Sequence, residues 1–337
     1  MKTFVIAEVG PNHNGSLDTA LEMVCRLAGS GANAIKFQLA RPEAVYSADA
    51  FKAGYQARND GEGSVIEMSR RLQLPREAHV RLYQECRKIG IPYMCTAFDL
   101  DSLRFLDTNF DLPAFKVASG ELLSIDTLEY IASRRRPVLL STGMATFDEI
   151  GLALGILDAS GSLPVTLLHC VSNYPAPHAD INLNILGSLV QRFGRPVGFS
   201  DHSVGPECCL AAVAMGAQVI EKHVTLDHDM PGPDHKASAT IEEFTAMVAV
   251  LRRVEVALGS PEKRFSEDEA GIRRMARKSI VAARAIPAGT VITAEDVTYK
   301  RPGTGFPPTD RSRVIGRLAG RDIAADRVIL PEDLAAQ

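Results

Sequence analysis

The chain has 337 residues, 46% hydrophobic and 23% charged, enough apolar content for a sizeable core and against a largely disordered chain. Lys and Arg number 37 against 41 Asp and Glu; this net charge of −4 gives no basic excess of the kind a nucleic-acid binder shows. No apolar run approaches the roughly 18 residues of a membrane span, and the opening MKTFVIAEVGPNHNG reads as a first strand, not a signal peptide.

Short, almost wholly apolar runs alternate with amphipathic segments along most of the chain. The runs are Thr3–Ala7, Ala34–Phe37, Pro92–Cys95, Ala114–Val117, Val138–Leu140, Val165–His169, Val197–Phe199 and Val219–Ile220. Strands apolar on both faces belong to a buried parallel sheet. Helical patterns fall at Leu17–Ala28, Arg76–Ile89, Ile125–Ser133, Phe147–Leu157, Leu183–Phe193, Glu207–Met215 and Ile241–Leu258, with Gly often at their ends. The order predicts an α/β fold, a (β/α)8 TIM barrel. A doubly wound sheet is the rival, but its nearest fingerprint, GSGANA at Gly29–Ala34, follows a helix and precedes a strand, the wrong order.

Residues 40–72 form a long excursion between the second and third strands, expected to be a lid, a binding loop or disordered. Ser260–Arg277 is charged and weakly patterned. The expected division is therefore a barrel domain over 1–260, a linker over 261–277 and a second small domain over 278–337, marked by short strands and turns. About 60 residues make a marginal core alone, so that domain is expected to pack on something else. The cysteines Cys25, Cys86, Cys95, Cys170, Cys208 and Cys209 show no CxxC spacing and lie in apolar contexts, as reduced, buried cysteines of a cytoplasmic protein do.

Chemistry in such a barrel sits at the C-terminal ends of the strands, and every strand here ends polar. In order these ends offer Glu8, Asn12 and His13; Lys36 and Gln38; Thr96; Lys116, Ser119 and Glu121; Ser141 and Thr142; Ser172 and Tyr174; Ser200, Asp201 and His202; and Glu221, Lys222 and His223. Lys36 and Lys116 lie inside apolar runs, where an unpaired ammonium costs several kcal/mol. Their partners are either Glu8, Glu121 and Glu221, or the phosphate and carboxylate of a ligand. His202 and His223, on neighbouring strands, are either satisfied structural residues or ligands of a metal. Two nitrogens without a nearby cysteine argue against structural zinc and for a water-rich Mn²⁺ or Mg²⁺, with Co²⁺ a further alternative. His13, His169 and His235 are weaker candidates; His79, His178 and His228 read as surface residues. Asp234 and His235, in the rigid loop MPGPDHKAS, either cap the next helix or contact a polyol.

At these residues the sequence resembles the sialic acid synthase family, which includes N-acetylneuraminate and N,N'-diacetyllegionaminate synthases. AEVGPNHNGS, IKFQ, KVASGE, LSTGMAT, LHC followed by YPAP, GFSDHS, IEKHVTLD and GPDHKAS occur in family order, with RKSIVA and KRPGTG in the tail. The resemblance implies a TIM barrel followed by a small antifreeze-like (SAF) domain. It implies condensation of phosphoenolpyruvate with an N-acylated hexosamine, N-acetylmannosamine or a diacetamido relative, giving a nine-carbon 2-keto sugar acid and phosphate. By position, His202 and His223 bind the metal. Lys36, Thr96, Lys116, Ser119, Ser141 and Ser200 hold phosphoenolpyruvate. Glu8, Gln38, Tyr174 and Asp234 face the sugar, with Glu8 also a catalytic candidate; Ser172 is a further substrate-binding position, and Glu121 is the acid/base carboxylate. Arg301 comes from the partner subunit of a domain-exchanged homodimer. Two departures stand out: Ser172 and then Asn173 where some members have Asn, and Asn59 or Asp60 as the counterpart of an Asn that reads the acyl group. Two rivals remain open at this point, a Schiff-base aldolase using Lys116 and a non-catalytic carbohydrate- or ice-binding protein.

Overall fold

Eight parallel strands close into a ring: β1 (Phe4–Gly10), β2 (Ala34–Leu39), β3 (Tyr93–Ala97), β4 (Phe115–Val117), β5 (Val138–Ser141), β6 (Val165–His169), β7 (Val197–Asp201) and β8 (Val219–Thr225). They pair in sequence order, and β1 also pairs with β8, so the barrel has no free edge. The computed structural model describes residues 2–159, 161 and 164–336.

The connecting helices are α1 (Leu17–Leu27), α2 (Pro42–Val45), α3 (Gly54–Asp60), α4 (Val65–Leu72), α5 (Arg76–Ile89), α6 (Leu100–Asn109), α7 (Ile125–Arg134), α8 (Phe147–Asp158), α9 (His178–Ile181), α10 (Ile185–Phe193), α11 (Glu207–Ala214) and α12 (Ile241–Leu258). A two-residue strand, β9 (Ala239–Thr240), pairs in parallel with the end of β8 just before α12. Side chains between strands and helices, such as Val5, Phe37, Leu82, Leu140, Phe199 and Phe244, form the main core. Inside the ring Ile6, Met94, Leu139, Leu168 and Val219 fill the floor of the barrel. Alternation along each strand then lifts the next inward residues to the mouth. Above Ile6 stands Glu8, above Met94 Thr96, above Leu139 Ser141, and above Val219 Glu221.

Four expectations change. Helix α6 is an addition: LDSLRFLDTN buries only Ser102, Leu103 and Leu106, too thin a stripe to announce itself, and is fixed by the Asp99 cap on the Ser102 N–H. The excursion carries α2, α3 and α4. Ser64 and Glu67 cap α4 reciprocally, and Val65, Met68 and Leu72 make a small cluster with Tyr46, Ala50 and Ile66. His79 is fully buried, not a surface residue: its Nδ1 is 2.7 Å from the Tyr93 hydroxyl. Cys25 is the exception to the buried cysteines, being exposed; all six are free thiols.

The chain divides into two compact units, Met1–Gly259 and Ser260–Gln337. The second contains α13 (Glu267–Ala276), capped by Ser266 and lying within the stretch expected as a linker. It also contains an antiparallel pair, β10 (Ser279–Ala282) and β11 (Val297–Lys300). Its own core includes Ile280, Ile292, Phe306, Val314 and Ile329. Among the described residues no helix is long and apolar enough to cross a membrane.

Candidate active site

A cavity of about 420 Å³ opens at the C-terminal mouth of the barrel. Of the barrel residues to which the resemblance gives a role in metal or substrate binding or catalysis, all line it except Glu121. Register explains the convergence. Glu8 on β1 pairs with Lys36 on β2 and His223 on β8, Thr96 on β3 pairs with Lys116 on β4, and Ser200 on β7 pairs with Glu221 on β8.

At its base two lysines meet two glutamates. Lys36 Nζ lies 2.7 Å from Glu8 Oε2 and 3.6 Å from Glu221 Oε2, and donates to Thr96 Oγ1 at 3.0 Å. Lys116 Nζ donates to Ser141 Oγ at 2.7 Å and stands 3.7 Å from Glu221 Oε1. Ser200 Oγ donates to Glu221 Oε1 at 2.9 Å, and Gln38 Nε2 to Glu8 Oε1 at 2.8 Å. Glu8 and Glu221 therefore partner the lysines, and Glu121 does not. Glu221 Oε2 nevertheless makes no hydrogen bond although buried.

The four charges are held at different protonation strengths. Burial, opposed by Lys36 and reinforced by Glu221, raises Glu8 to about 7. Burial also acts on Glu221, but Lys116 and Lys36 outweigh it and hold that carboxyl at about 2. Burial lowers Lys116; it acts likewise on Lys36, where Glu221 and Glu8 reverse the direction.

Hydroxyls extend the site from Lys116. Gly143 N–H donates to Ser119 Oγ at 3.0 Å, which touches Cys170 Sγ at 3.1 Å. A Cβ at Gly143 would come within 2.5 Å of Ser172 Oγ and 2.8 Å of Ser119 Oγ, so glycine is what keeps these hydroxyls together.

His202 and His223 face each other with ring centroids 5.4 Å apart, and the Tyr174 ring lies 4.0 Å from that of His202. His202 Nδ1–H donates to Val171 O at 2.6 Å, which leaves Nε2 with a free lone pair. Burial lowers His202 to about 4 and His223 well below its usual range, so both imidazoles are neutral. His223 Nδ1 is buried without a hydrogen bond, 3.9 Å from Asp234 Oδ2. Among the described residues no group of three or more His, Cys, Asp or Glu is arranged to hold a metal. The donor set thus fits a divalent cation held by two neutral imidazoles and completed by water or substrate oxygens, and does not fit a closed structural site.

Asp234 does not cap a helix with its side chain: Thr240 caps α12, and the Asp234 carboxyl, raised to about 7 by burial and by Glu8, lines the cavity. His13, His169 and His235 lie outside the lining. They bond the Gly15 N–H, Ile181 O and Thr225 Oγ1 respectively. Glu121 is half-buried at the end of the turn Ser119–Glu121 and accepts from Ser124 Oγ at 2.5 Å, while its neighbours Ser119 and Gly120 reach the cavity. Arg301 is exposed on the second unit.

Sequence reasoning left two sets of lining residues unassigned. Glu221 was a possible ion partner only, although its place two residues before His223 on one strand already puts both on the same face. The excursion supplies Tyr46, Tyr55, Gln56, Met68 and Leu72, for which no periodicity gives a signal. Asn59 and Asp60 do not line the cavity. Asn59 Nδ2 donates to Pro233 O at 2.8 Å, tying the excursion to the loop after β8, and Asp60 pairs with Lys52 and Arg71.

Residues 23–263 match the NeuB family and residues 277–335 the SAF domain. The chain is 39% identical to the N,N'-diacetyllegionaminic acid synthase of Legionella pneumophila, over 100% of this chain and 96% of that protein. It is 32% identical to the human N-acetylneuraminate-9-phosphate synthase, over 98% and 92%. The solved N-acetylneuraminic acid synthetase of Leptospira borgpetersenii, in complex with citrate, superposes with a TM-score of 0.72 at 33% identity, covering 81% of this chain and 90% of that one. Family match, closed barrel and full-length relatives agree: the chain belongs to the NeuB family and carries a SAF domain.

Proposed function

We propose that this enzyme condenses phosphoenolpyruvate with an N-acylated hexosamine, N-acetylmannosamine or a diacetamido relative, and water, giving a nine-carbon 2-keto sugar acid and phosphate. The observation that carries this reading is the single cavity that joins an anion cradle, made by Lys36, Lys116 and the hydroxyls of Thr96, Ser119 and Ser141, to a pair of neutral imidazoles. Relatives named for sialic and legionaminic acid synthesis, matched over nearly their whole length, support it.

The chemistry follows from the parts. Lys36 and Lys116 neutralise the phosphate and carboxylate and fix the enol ester, an arrangement that lowers the entropy cost of bringing two substrates together. Its C3 attacks the aldehyde carbon of the open-chain sugar; a C–C bond forms, and the aldehyde oxygen takes up a proton. Glu8, poised near neutrality beside Gln38, is the group we assign to that proton. Water then adds to C2 and gives up a proton, which we assign to Glu121 on its position beside Ser119 and Gly120, although its side chain bonds Ser124 outside the lining. The C2–O bond of the phosphate ester then breaks as the C2 hydroxyl gives its proton to the departing phosphate; the C2 ketone forms and phosphate leaves with its bridging oxygen. His202 and His223 would hold a divalent metal, Mn²⁺ in our reading, which supplies Lewis-acid polarisation of the carbonyl oxygen. Six free thiols suit a reducing, cytoplasmic setting.

The test is phosphate release from phosphoenolpyruvate with acylated hexosamines in water labelled with heavy oxygen. Label is expected in the keto acid and none in the phosphate; labelled phosphate would refute attack at C2. Lys116, buried and lowered, also suits a Schiff-base aldolase. Borohydride inactivation that requires substrate would favour that reading, and its absence the first.

We also propose a homodimer in which Arg301 completes the partner's cavity. Mixing inactive Arg301→Ala and Glu121→Gln chains is expected to regenerate up to about a quarter of wild-type activity by random exchange of two-fold dimers. No recovery despite proven exchange refutes it.

A further inference from the structure

The hydroxyls of the anion cradle are engaged from the protein side in a common way. Lys36 Nζ donates to Thr96 Oγ1 at 3.0 Å, and Lys116 Nζ donates to Ser141 Oγ at 2.7 Å. A charged ammonium has protons to give and no lone pair to offer, so neither hydroxyl can turn its own proton back to its lysine. That proton is left for a ligand in the cavity, and an anion accepts it strongly. The two lysines thus set the direction in which two hydroxyls donate, besides supplying charge.

Ser119 reaches the same cavity without a lysine. Its Oγ accepts the Gly143 N–H at 3.0 Å, and among the described residues its other hydrogen-bond contact is Cys170 Sγ at 3.1 Å. Either atom of that pair can be the donor, and the two arrangements differ in consequence. If Ser119 donates to sulfur, its proton is engaged by a weak acceptor and is lost to the cradle. If the thiol donates, Gly143 and Cys170 fill both Ser119 lone pairs, and the hydroxyl proton is free for the ligand.

The surroundings favour the second arrangement when an anion is bound. Burial pushes the Cys170 thiol above its ordinary value, so it keeps a proton to donate at neutral pH. A phosphate or carboxylate oxygen is a much stronger acceptor than a thiol sulfur, so the Ser119 proton goes to the ligand and the S–H proton fills the lone pair behind it. Packing leaves the pair no room to separate. Cys170 is buried just after β6, and a Cβ at Gly143 would come within 2.8 Å of Ser119 Oγ and 2.9 Å of Cys170 Sγ.

We propose that Cys170 is a positioning residue for anion binding: its thiol donates to Ser119 Oγ and commits the Ser119 hydroxyl proton to the phosphate or carboxylate held in the cradle. Naming that anion phosphoenolpyruvate rests on the condensing reading, so inorganic phosphate is used as a second probe. The test is a double-mutant cycle read by titration calorimetry with Mn²⁺ present, on wild type, Cys170→Ala, Ser119→Ala and the double variant. In the wild-type background Cys170→Ala is expected to weaken phosphoenolpyruvate binding about tenfold. In the Ser119→Ala background the same change is expected to cost less than about twofold, because the proton it directs is gone. Cys170→Ser, nearly equal in size to Cys170→Ala but still a donor, is expected to stay within about threefold of wild type. In turnover, Cys170→Ala is expected to raise KM for phosphoenolpyruvate while KM for the acylated hexosamine stays within about twofold. Equal losses from Cys170→Ala in both backgrounds, or no loss in either, overturn the proposal. So does Cys170→Ser binding as weakly as Cys170→Ala, since packing and not donation would then matter. The expected cycle with phosphate, when phosphoenolpyruvate does not bind, keeps the proposal and removes the condensing reading. Binding of neither anion to wild type overturns both.

Discussion

Strands β7 and β8 carry charged side chains on both faces, and the two faces are finished differently. Outward, Lys222 Nζ lies 2.6 Å from Asp201 Oδ2 and donates to Ser203 O at 2.9 Å, while Ser203 and Cys209 complete the carboxylate. Inward, one residue to either side of Lys222 on β8, Glu221 meets two lysines at 3.6 and 3.7 Å and keeps an oxygen unbonded, and His223 keeps Nδ1 unbonded. Buried polar groups are normally satisfied; the outward face is complete as folded, and the inward face keeps polar atoms open toward the cavity. Lys222 and Lys116 express the contrast directly. Asp201 helps raise Lys222 against burial, whereas burial wins at Lys116 and lowers it.

The sharpest way to break this contrast is at the imidazoles. Chelation is expected to reduce turnover on the order of a thousandfold or more, the scale of a lost Lewis acid, with Mn²⁺ restoring it. His202→Ala and His223→Ala are expected to do the same and to abolish Mn²⁺ binding by calorimetry, while circular dichroism stays native. Full activity in excess chelator would show that the open nitrogens serve something other than a metal.

Next in size is the lysine comparison. Lys222→Met leaves Asp201 buried and unpaired and is expected to cost about 3–5 kcal/mol in denaturant unfolding. Lys116→Met removes a charge the fold does not favour, so its stability loss is expected to stay below about 2 kcal/mol while kcat/KM for phosphoenolpyruvate falls about a hundredfold or more. The signs differ with pH. The raised Lys222 contributes stability that persists below the unfolded lysine value near 10 and is lost as pH rises through its higher folded value. The lowered Lys116 does the opposite, its penalty lifting as it deprotonates. Equal stability losses in the two variants would erase the distinction between the faces.

Much of this was legible from sequence because barrel strands are short apolar runs whose polar ends announce the mouth. Lys36 and Lys116 stood out as charges inside such runs, and both reach the cavity. Helix α6 was not legible because three buried residues make too narrow a stripe. His79 misled because its polar neighbours hid a ring that packs on Phe37 and Tyr93. The excursion defeated periodicity altogether: α2 to α4 are short, and what their side chains face is set by packing across the mouth. Glu121 was read from its place after a strand end and from its motif, and both give a position in the chain without the direction of a side chain.

The smallest effect tests whether Asp234 belongs to the unfinished face. Burial and the neighbouring Glu8 raise its carboxyl to about 7. Between about pH 4, where an unfolded aspartate releases its proton, and about 7, the folded protein holds a proton that the unfolded chain has lost. Stability from this group therefore falls as pH rises through that window, the reverse of a salt-bridged carboxylate. Asparagine carries no such proton. The stability of Asp234→Asn minus that of wild type, measured on metal-free protein, is thus expected to grow between pH 4 and 7, by at most about 1.4 kcal/mol per unit. Histidines that do not contact Asp234 are shared by both proteins and cancel in the difference. A difference that stays flat with pH means that Asp234 releases its proton in the folded state as it does in the unfolded chain, and moves it to the finished face.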